Sequence, residues 1–216
     1  MAYFGFIPSE QLLQQTQQFI SKKNNVDLHT LRNEVALTIN QEIIDTLVSQ
    51  VIVNFPDSEK KQTAAKLAQF IQSSVAVLLK QLLGKANTTS LQQSIAFSKQ
   101  SLFKTSNHDY RIGHELPKDI VINLKQHFAA LKLGKKVNMQ VLTADYKLFA
   151  DEVIRHFMHQ FYKTLDLGMI KRKTADIGCI TTTKAVHVAI DKIIPKLNKD
   201  ELKVLATQHD MLFFTH

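Results

Sequence analysis

Apolar residues recur at three- and four-residue intervals along almost the whole chain, the spacing that places side chains on one face of an α-helix. The longest such run lies between Asp27, a suitable N-cap, and Phe55, which precedes a proline. One apolar stripe contains Leu28, Leu31, Val35, Ile39, Ile43, Leu47 and Val51, and a second contains Ile44, Val48 and Ile52. The run predicts a helix about 43 Å long at about 1.5 Å per residue. The second stripe predicts contacts on two sides, so we expect this to be the central helix.

Similar periodicity predicts further helices on both sides of the central one. Their approximate ranges are 12–23, 57 or 58 to 84, 91–102, 117–134, 143 or 145 to 168, 184–194, and 198 onward. Gly84 is a candidate left-handed C-cap, and Asn198 with Glu201 three residues later matches a capping box. No stretch alternates convincingly between apolar and polar residues. The sequence therefore predicts an all-α fold, an irregular multi-helix bundle of about seven or eight helices.

Length and composition agree with this prediction. The chain has 216 residues, of which 44% are hydrophobic, enough for a substantial core. We expect a single all-helical domain over residues 1–216, with any seam between subdomains in the polar connection at 104–116. The only cysteine is Cys179, which favours a reducing compartment, so the expected location is the cytoplasm. The N-terminal residues lack the pattern of a signal peptide, and we expect no membrane-spanning helix.

The most apolar helical segment covers residues 75–83. Its apolar side chains surround the helix almost completely, which requires burial in the core or in a partner. The residues that would form an interaction face are Val75, Val77, Leu78, Leu79, Leu82 and Leu83. The segment predicts self-association or docking of a protein partner.

Two histidine-rich segments are candidate metal sites. The first contains His108, Asp109, His114 and Glu115, and an adjacent His-Asp pair can hold a divalent cation in helical phosphate-ester hydrolases. A rigid helix would be needed to hold such a pair, whereas this one follows the polar residues "KTSN". A solvated connection with a local turn is therefore the favoured interpretation.

The second candidate metal site is the stripe Glu152, His156 and His159, whose helical spacing can build half of a zinc or di-iron site. At about 100° per residue the centre of this stripe lies about 110° from the centre of the apolar face of its own helix. It should therefore point to solvent or to a partner. The favoured interpretation is a surface Glu-His pair.

Cys179 could pair with His187 as nucleophile and base, but eight residues along a helix separate them by about 12 Å. A buried structural thiol is the better interpretation. Direct nucleic-acid binding is a further alternative, because the net charge is +8 and Lys171, Arg172 and Lys173 precede a predicted glycine turn at Gly178. That order is compatible with a helix-turn-helix, in which basic residues contact phosphates and the second helix enters the groove.

These features favour a non-catalytic helical interaction or binding protein that self-associates or docks a partner through apolar helix faces. A DNA- or RNA-binding regulator that uses residues 171–173 is one alternative. A metal-dependent hydrolase that uses His108 and Asp109 is another. We expect no cofactor.

Overall fold

The computed structural model describes residues 1–22, 27–56 and 58–215, which fold into eight helices and one four-stranded sheet. The first four helices are α1 (Glu10–Ser21), α2 (Leu28–Ile44, Asp45–Ser49 and Gln50–Val53), α3 (Glu59–Leu82) and α4 (Thr88–Ser101). The others are α5 (Lys118–Lys132), α6 (Met139–Ile154, Arg155–Gln160 and Phe161–Lys163), α7 (Met169–Ile193, continued by Ile194–Lys196) and α8 (Lys199–Asp210). The predicted all-α, multi-helix class is confirmed. The small sheet is an addition that the sequence pattern did not predict.

Several helices begin where a side chain can accept a hydrogen bond from a free backbone N–H group. Asp27 caps α2 by accepting from the amides of His29 and Thr30, and Ser58 caps α3 as predicted. Asn198 and Glu201 form the predicted capping box at the start of α8. These caps come from short-range sequence patterns, and for that reason they could be predicted without any tertiary contact.

Several predicted helix ends are wrong, among them the end of α3 and the start of α6. Gly84 is not a left-handed cap, because α3 ends at Leu82 and the next residue, Leu83, is extended. Positive φ instead follows two other helices, at Lys22 after α1 and at Gly134 after α5. Helix α6 begins at Met139 rather than at residues 143–145. The reason is that Asn138 accepts hydrogen bonds from the two amides that follow Met139.

The sheet consists of β1 (Ala2–Phe6), β2 (Leu102–Lys104), β3 (Tyr110–Leu116) and β4 (Phe213–Thr215), in the order β2-β3-β1-β4. All neighbouring strands are antiparallel. Part of the predicted connection at 104–116 is therefore wrong, since β3 occupies its second half. Gly113 is required here: a Cβ atom at this position would lie 1.8 Å from the carbonyl oxygen of Phe4 on the adjacent strand.

Helix α6 lies between the sheet and three other long helices. Phe149 of α6 packs edge-on against Phe4 of β1 at a ring-centroid distance of 5.1 Å. Beyond α6, helices α3 and α7 run antiparallel to each other: the ammonium of Lys60 at one end donates to the carbonyl of Lys196, and Leu78 packs against Gly178 at the other. None of the helices in the described ranges has the combination of length and apolarity that a bilayer crossing requires.

Candidate functional site

An apolar cavity of about 190 Å³ lies among α2, α3, α6 and α7. Its walls are mainly aliphatic, and include Val48, Leu67, Ile71, Val153, Val186 and Ile190. Several of these side chains remain partly exposed, although they face the interior of the molecule. The cavity is therefore connected to solvent rather than sealed. We call it the helical cavity.

Two π-helical segments line the helical cavity. Asp45–Ser49 interrupts α2 and contributes Leu47 and Val48 to the wall, and Arg155–Gln160 interrupts α6 and contributes Phe157 and Met158. A π-helical turn contains about one residue more than an α-helical turn, which widens the helix locally and often marks a functional site. Both irregular segments of these long helices thus contact the same space.

The polar groups beside the helical cavity satisfy one another. Tyr146 donates its hydroxyl proton to Nδ1 of His209, and Nε2 of His209 donates to the carbonyl of Leu47, at 2.9 and 3.0 Å. This carbonyl belongs to the π segment of α2, so His209 ties α8 to the irregular turn. Burial lowers the pKa of His209 to about 4 and raises that of Tyr146, so both side chains are neutral near pH 7. The cavity can therefore accept an uncharged apolar molecule.

A second, much smaller pocket of about 10 Å³ adjoins the helical cavity, and Asn40 and Phe157 line both. Its wall includes Arg32, a buried cation that donates to the side chain of Asn33 and to the carbonyl of Gly84. Among the described residues no carboxylate forms an ion pair with this guanidinium, and desolvation lowers its pKa. Arg32 joins the start of α2 to the end of α3. The pocket beside it has room for about one water molecule.

His114 and His156 form a buried stacked pair, with ring centroids 4.4 Å apart and planes 4° from parallel. His156 donates from Nδ1 to Gln160 at 2.8 Å, and its Nε2 lies 2.9 Å from the hydroxyl of Ser101. Burial, and after it the charge of a protonated His156, lowers the pKa of His114 to about 2. Burial also lowers the pKa of His156, to about 4. Both rings are therefore neutral at physiological pH, and they pack as aromatic groups.

The environment of His114 is unusual for a polar side chain. Neither ring nitrogen makes a hydrogen bond of normal geometry within the part of the chain that the structure describes. The backbone of Glu152 nevertheless lies close enough to oppose the fall in pKa. Phe4 and Phe157 both contact the ring edge-on. His114 therefore occupies a position in the core where an apolar aromatic residue would be expected.

The structure separates the four residues of the first predicted metal segment. His108 has a positive φ of 66° in the exposed turn that connects β2 to β3, and Asp109 follows it. His114 lies six residues further along, about 20 Å away on an extended strand. It points into the core, whereas Glu115 is exposed on the opposite face. The predicted local turn is present at Ser106 and Asn107, but the chain does not bring the four side chains together.

The predicted orientation of the second metal segment is wrong in part. His156 is buried rather than exposed, while Glu152 and His159 are half-buried. The reason is that the sheet and α4 cover this side of α6, where His114 of β3 and Phe97 of α4 stack on the ring of His156. In the described residues no group of three or more histidine, cysteine, aspartate or glutamate side chains is arranged to hold a metal ion.

Cys179 is a buried free thiol, as the sequence predicted. Burial, together with the charge of Asp176, raises its pKa to about 11, so it is not a thiolate near neutral pH. His187 instead pairs with Asp151 of α6, with its Nε2 2.7 Å from the carboxylate. Cys179 and His187 therefore do not form a nucleophile and base pair.

The 75–83 segment packs largely within its own chain. Val75, Leu79 and Leu82 belong to the core, and Leu78 and Leu83 pack against it. Val77 is exposed. Most of the apolar side chains predicted to form an interaction face are therefore buried within the chain itself.

The basic residues Lys171, Arg172 and Lys173 lie exposed in the first turns of α7. The predicted turn at Gly178 is wrong, because α7 continues through it as one helix. A Cβ atom at Gly178 would lie 2.2 Å from a methyl group of Leu78, so the glycine allows α3 and α7 to approach closely. The helix-turn-helix arrangement considered from the sequence is consequently absent from this part of the described chain.

Sequence reasoning did not identify the helical cavity. The signal nearest to it was the second apolar stripe on α2, whose members Ile44, Val48 and Ile52 all line the cavity wall. That stripe was interpreted as a contact with a neighbouring helix. Compared with protein-family models, with curated proteins and with solved structures, the chain matches none of them. Functional inference therefore depends on the site itself.

Proposed function

We propose that the protein is a non-catalytic binding protein that holds a small apolar molecule in the helical cavity. The observation that carries this proposal is the space of about 190 Å³ with aliphatic walls. An apolar cavity of about 150 Å³ is large enough to bind benzene. The expected ligand is therefore the size of a monocyclic aromatic compound or a short alkyl chain.

The energetic cost of the empty space supports a ligand. At about 24 cal/mol per Å³, a dry cavity of this size would lower stability by about 4–5 kcal/mol relative to a filled one. That amount is a large part of the net stability of a typical domain, about 5–15 kcal/mol. A bound apolar molecule would recover part of it, because it restores contacts to the wall and displaces no charged group.

This proposal keeps the binding role expected from the sequence and adds a small-molecule ligand to it. Self-association or docking of a protein partner stays a separate prediction, for which the exposed Val77 is the remaining candidate in the 75–83 segment. We also propose a reducing compartment such as the cytoplasm, which the single free thiol of Cys179 supports.

The test is calorimetric titration of the whole protein with benzene and with 1-octanol. We expect saturable binding, a negative heat-capacity change and a rise in Tm that increases with probe concentration. Val48→Phe and Val186→Phe should each weaken binding at least about tenfold, because the added ring occupies space in the cavity. Val141→Phe is the matched control, since Val141 is exposed and lies outside the cavity wall.

Two results would contradict the proposal. One is the absence of saturable binding and of any rise in Tm with both probes. The other is equal affinity in the wild type and in folded Val48→Phe and Val186→Phe variants, which would place the probes elsewhere on the molecule.

A further inference from the structure

The outer side of α7 exposes an unusual number of large aliphatic residues. The exposed fractions of Met169, Ile170, Ile177 and Ile180 are 78%, 81%, 65% and 57%. Val186 and Ile190 line the helical cavity, and on the helical wheel they lie about 200–300° from Met169. Helix α7 therefore has an apolar inner side and a second apolar side that no other part of the described chain covers.

This second side also carries positive charge. At about 100° per residue, an arc about 100° wide contains the four exposed aliphatic residues and two lysines. We call this arc the α7 outer face, and it consists of Met169, Ile170, Lys173, Ile177, Ile180 and Lys184. On the same helical wheel Arg172 lies about 60° beyond the edge at Met169, Lys171 lies about 100° beyond the edge at Ile170, and Asp176 is the acidic residue beside the face. The segment from 169 to 184 thus has a net charge of +3, from four cations and one anion.

Four cations of α7 have no charged or hydrogen-bonded partner among the described residues. Within the described residues, Lys171, Arg172, Lys173 and Lys184 form neither an ion pair nor a side-chain hydrogen bond, although seven other charged pairs are present. Three of them lie near the N-terminus of the helix, where the helix dipole disfavours positive charge. Gly168 provides no side-chain cap there. Their position therefore favours an external anion over a contribution to stability.

We infer that the α7 outer face docks on an anionic lipid surface, with its aliphatic side chains inserted among the acyl chains and its lysines at the headgroups. Helices that lie in a membrane interface combine these two features. The inference uses the outer side of α7 only, so it does not depend on a ligand in the helical cavity.

The charge pattern decides among the possible occupants of this face. A second copy of the chain in a two-fold dimer would bring the same four cations to both sides of the contact, without matching anions. A nucleic acid would neutralise the cations but would leave the isoleucines against phosphates. An anionic lipid surface satisfies both components, because its headgroups are negative and its interior is apolar.

The experiment is flotation of the whole protein with vesicles of phosphatidylcholine alone and of phosphatidylcholine mixed with phosphatidylglycerol. We expect binding to the mixed vesicles at least about tenfold stronger than to the neutral ones, and weaker binding at high salt. Ile177→Ser combined with Ile180→Ser should reduce binding to mixed vesicles at least about tenfold. Replacing Arg172, Lys173 and Lys184 by glutamine should reduce it about a hundredfold, from about fivefold per cation.

Matched controls separate this face from general surface effects. Lys99, Lys135 and Lys136 are exposed cations elsewhere, and their replacement by glutamine removes the same charge. Leu133→Ser with Val141→Ser removes two exposed apolar residues outside α7. Both controls should bind mixed vesicles within about threefold of the wild type. Circular dichroism spectra of all variants should match, since each substituted side chain is exposed.

The inference is overturned if the wild type floats with neither vesicle, or if the controls lose as much binding as the α7 variants. It is also overturned if the exposed isoleucines instead hold a dimer, seen by analytical ultracentrifugation and lost in the Ile177→Ser, Ile180→Ser variant. Salt-dependent binding to duplex DNA without binding to vesicles would assign the face to nucleic acid. Titration with benzene reports on the helical cavity independently of all these results.

Discussion

Two apolar regions on either side of α6 differ in how completely they are filled. Toward the sheet, Phe4, Phe149 and Phe213 meet at ring distances of 5.0 to 6.2 Å, and Phe128 packs against Phe213. We call these residues, with His114 and His156, the sheet-side core. Toward α2, α3 and α7 the walls are mainly aliphatic and enclose the helical cavity, which Phe149 also lines. Both regions are apolar, but the side chains of the sheet-side core pack closely, whereas those around the helical cavity leave a space.

The chemistry of the side chains explains part of this difference. Flat rings from different elements pack edge-on in the sheet-side core and fill the volume between the layers. The helical cavity is surrounded by long helices, two of which are widened by π segments, and their shorter aliphatic side chains do not reach across. The comparison shows that burial of an apolar residue does not by itself mean close packing.

The largest expected effect is the pH dependence of stability, which involves both regions. His114 and His156 in the sheet-side core and His209 beside the cavity have folded-state pKa values of about 2, about 4 and about 4. All are below the unfolded value of about 6.5, so unfolding takes up protons as the pH falls. The free energy of unfolding should be highest above about pH 6.5. Below that, uptake of three protons on unfolding should lower it by about 4 kcal/mol per pH unit, down to about pH 4.

Urea denaturation at several pH values measures this slope. His209→Gln should reduce it by about one third, which is the share of one proton. His156→Gln should reduce it by at least as much, since it also removes a neighbour of His114. A free energy of unfolding that stays constant between about pH 7 and about pH 5 would show that these rings are already protonated in the fold, or that they are hydrated.

Truncation of a leucine should reveal the difference in packing directly. Leu124 is completely buried in α5, and Leu124→Ala should lower the free energy of unfolding by about 2–5 kcal/mol. Leu67 is half-buried on the cavity wall, where space already exists, so Leu67→Ala should cost less than about 1.5 kcal/mol. Chemical denaturation measures both values. Equal losses would mean that the cavity wall is as tightly packed as the rest of the core.

Enlargement of a valine should have opposite consequences in the two regions. Val121 is fully buried outside the cavity wall, and Val121→Phe should destabilise the protein by about 1–3 kcal/mol through overpacking. Val48→Phe places the same ring in the helical cavity and should change stability by less than about 1 kcal/mol or increase it. A large loss of stability in Val48→Phe would indicate that the cavity cannot accept an aromatic group.

The helices could be predicted because their information is local. The stripe on α2, the caps at Asp27 and Ser58, and the capping box at Asn198 each lie within a few residues of the feature they specify. The sheet could not be predicted in the same way. In β1, apolar or small residues lie on both faces, so no alternation is visible, and in β3 a histidine occupies one of the inward positions.

The candidate site was harder to predict than the fold, for two physical reasons. A cavity is a volume without atoms, and the residues around it have the same apolar pattern as residues that pack closely. The burial of His156 was also missed because His114, which stacks on it, belongs to a sheet that the sequence pattern did not predict. The exposed basic residues at 171–173 were visible in the sequence, but their aliphatic neighbours gained meaning only once α7 proved to be continuous.

The pairing of β1 with β4 gives the molecule a defined mechanical weakness. Ala2 lies opposite Thr215 in an antiparallel ladder, so a force that pulls these two residues apart acts along the hydrogen bonds between the strands. The bonds would then break one after another, as in unzipping, instead of sharing the load as in shear. Under tension the sheet should open first and at low force, while the helices around the cavity stay intact.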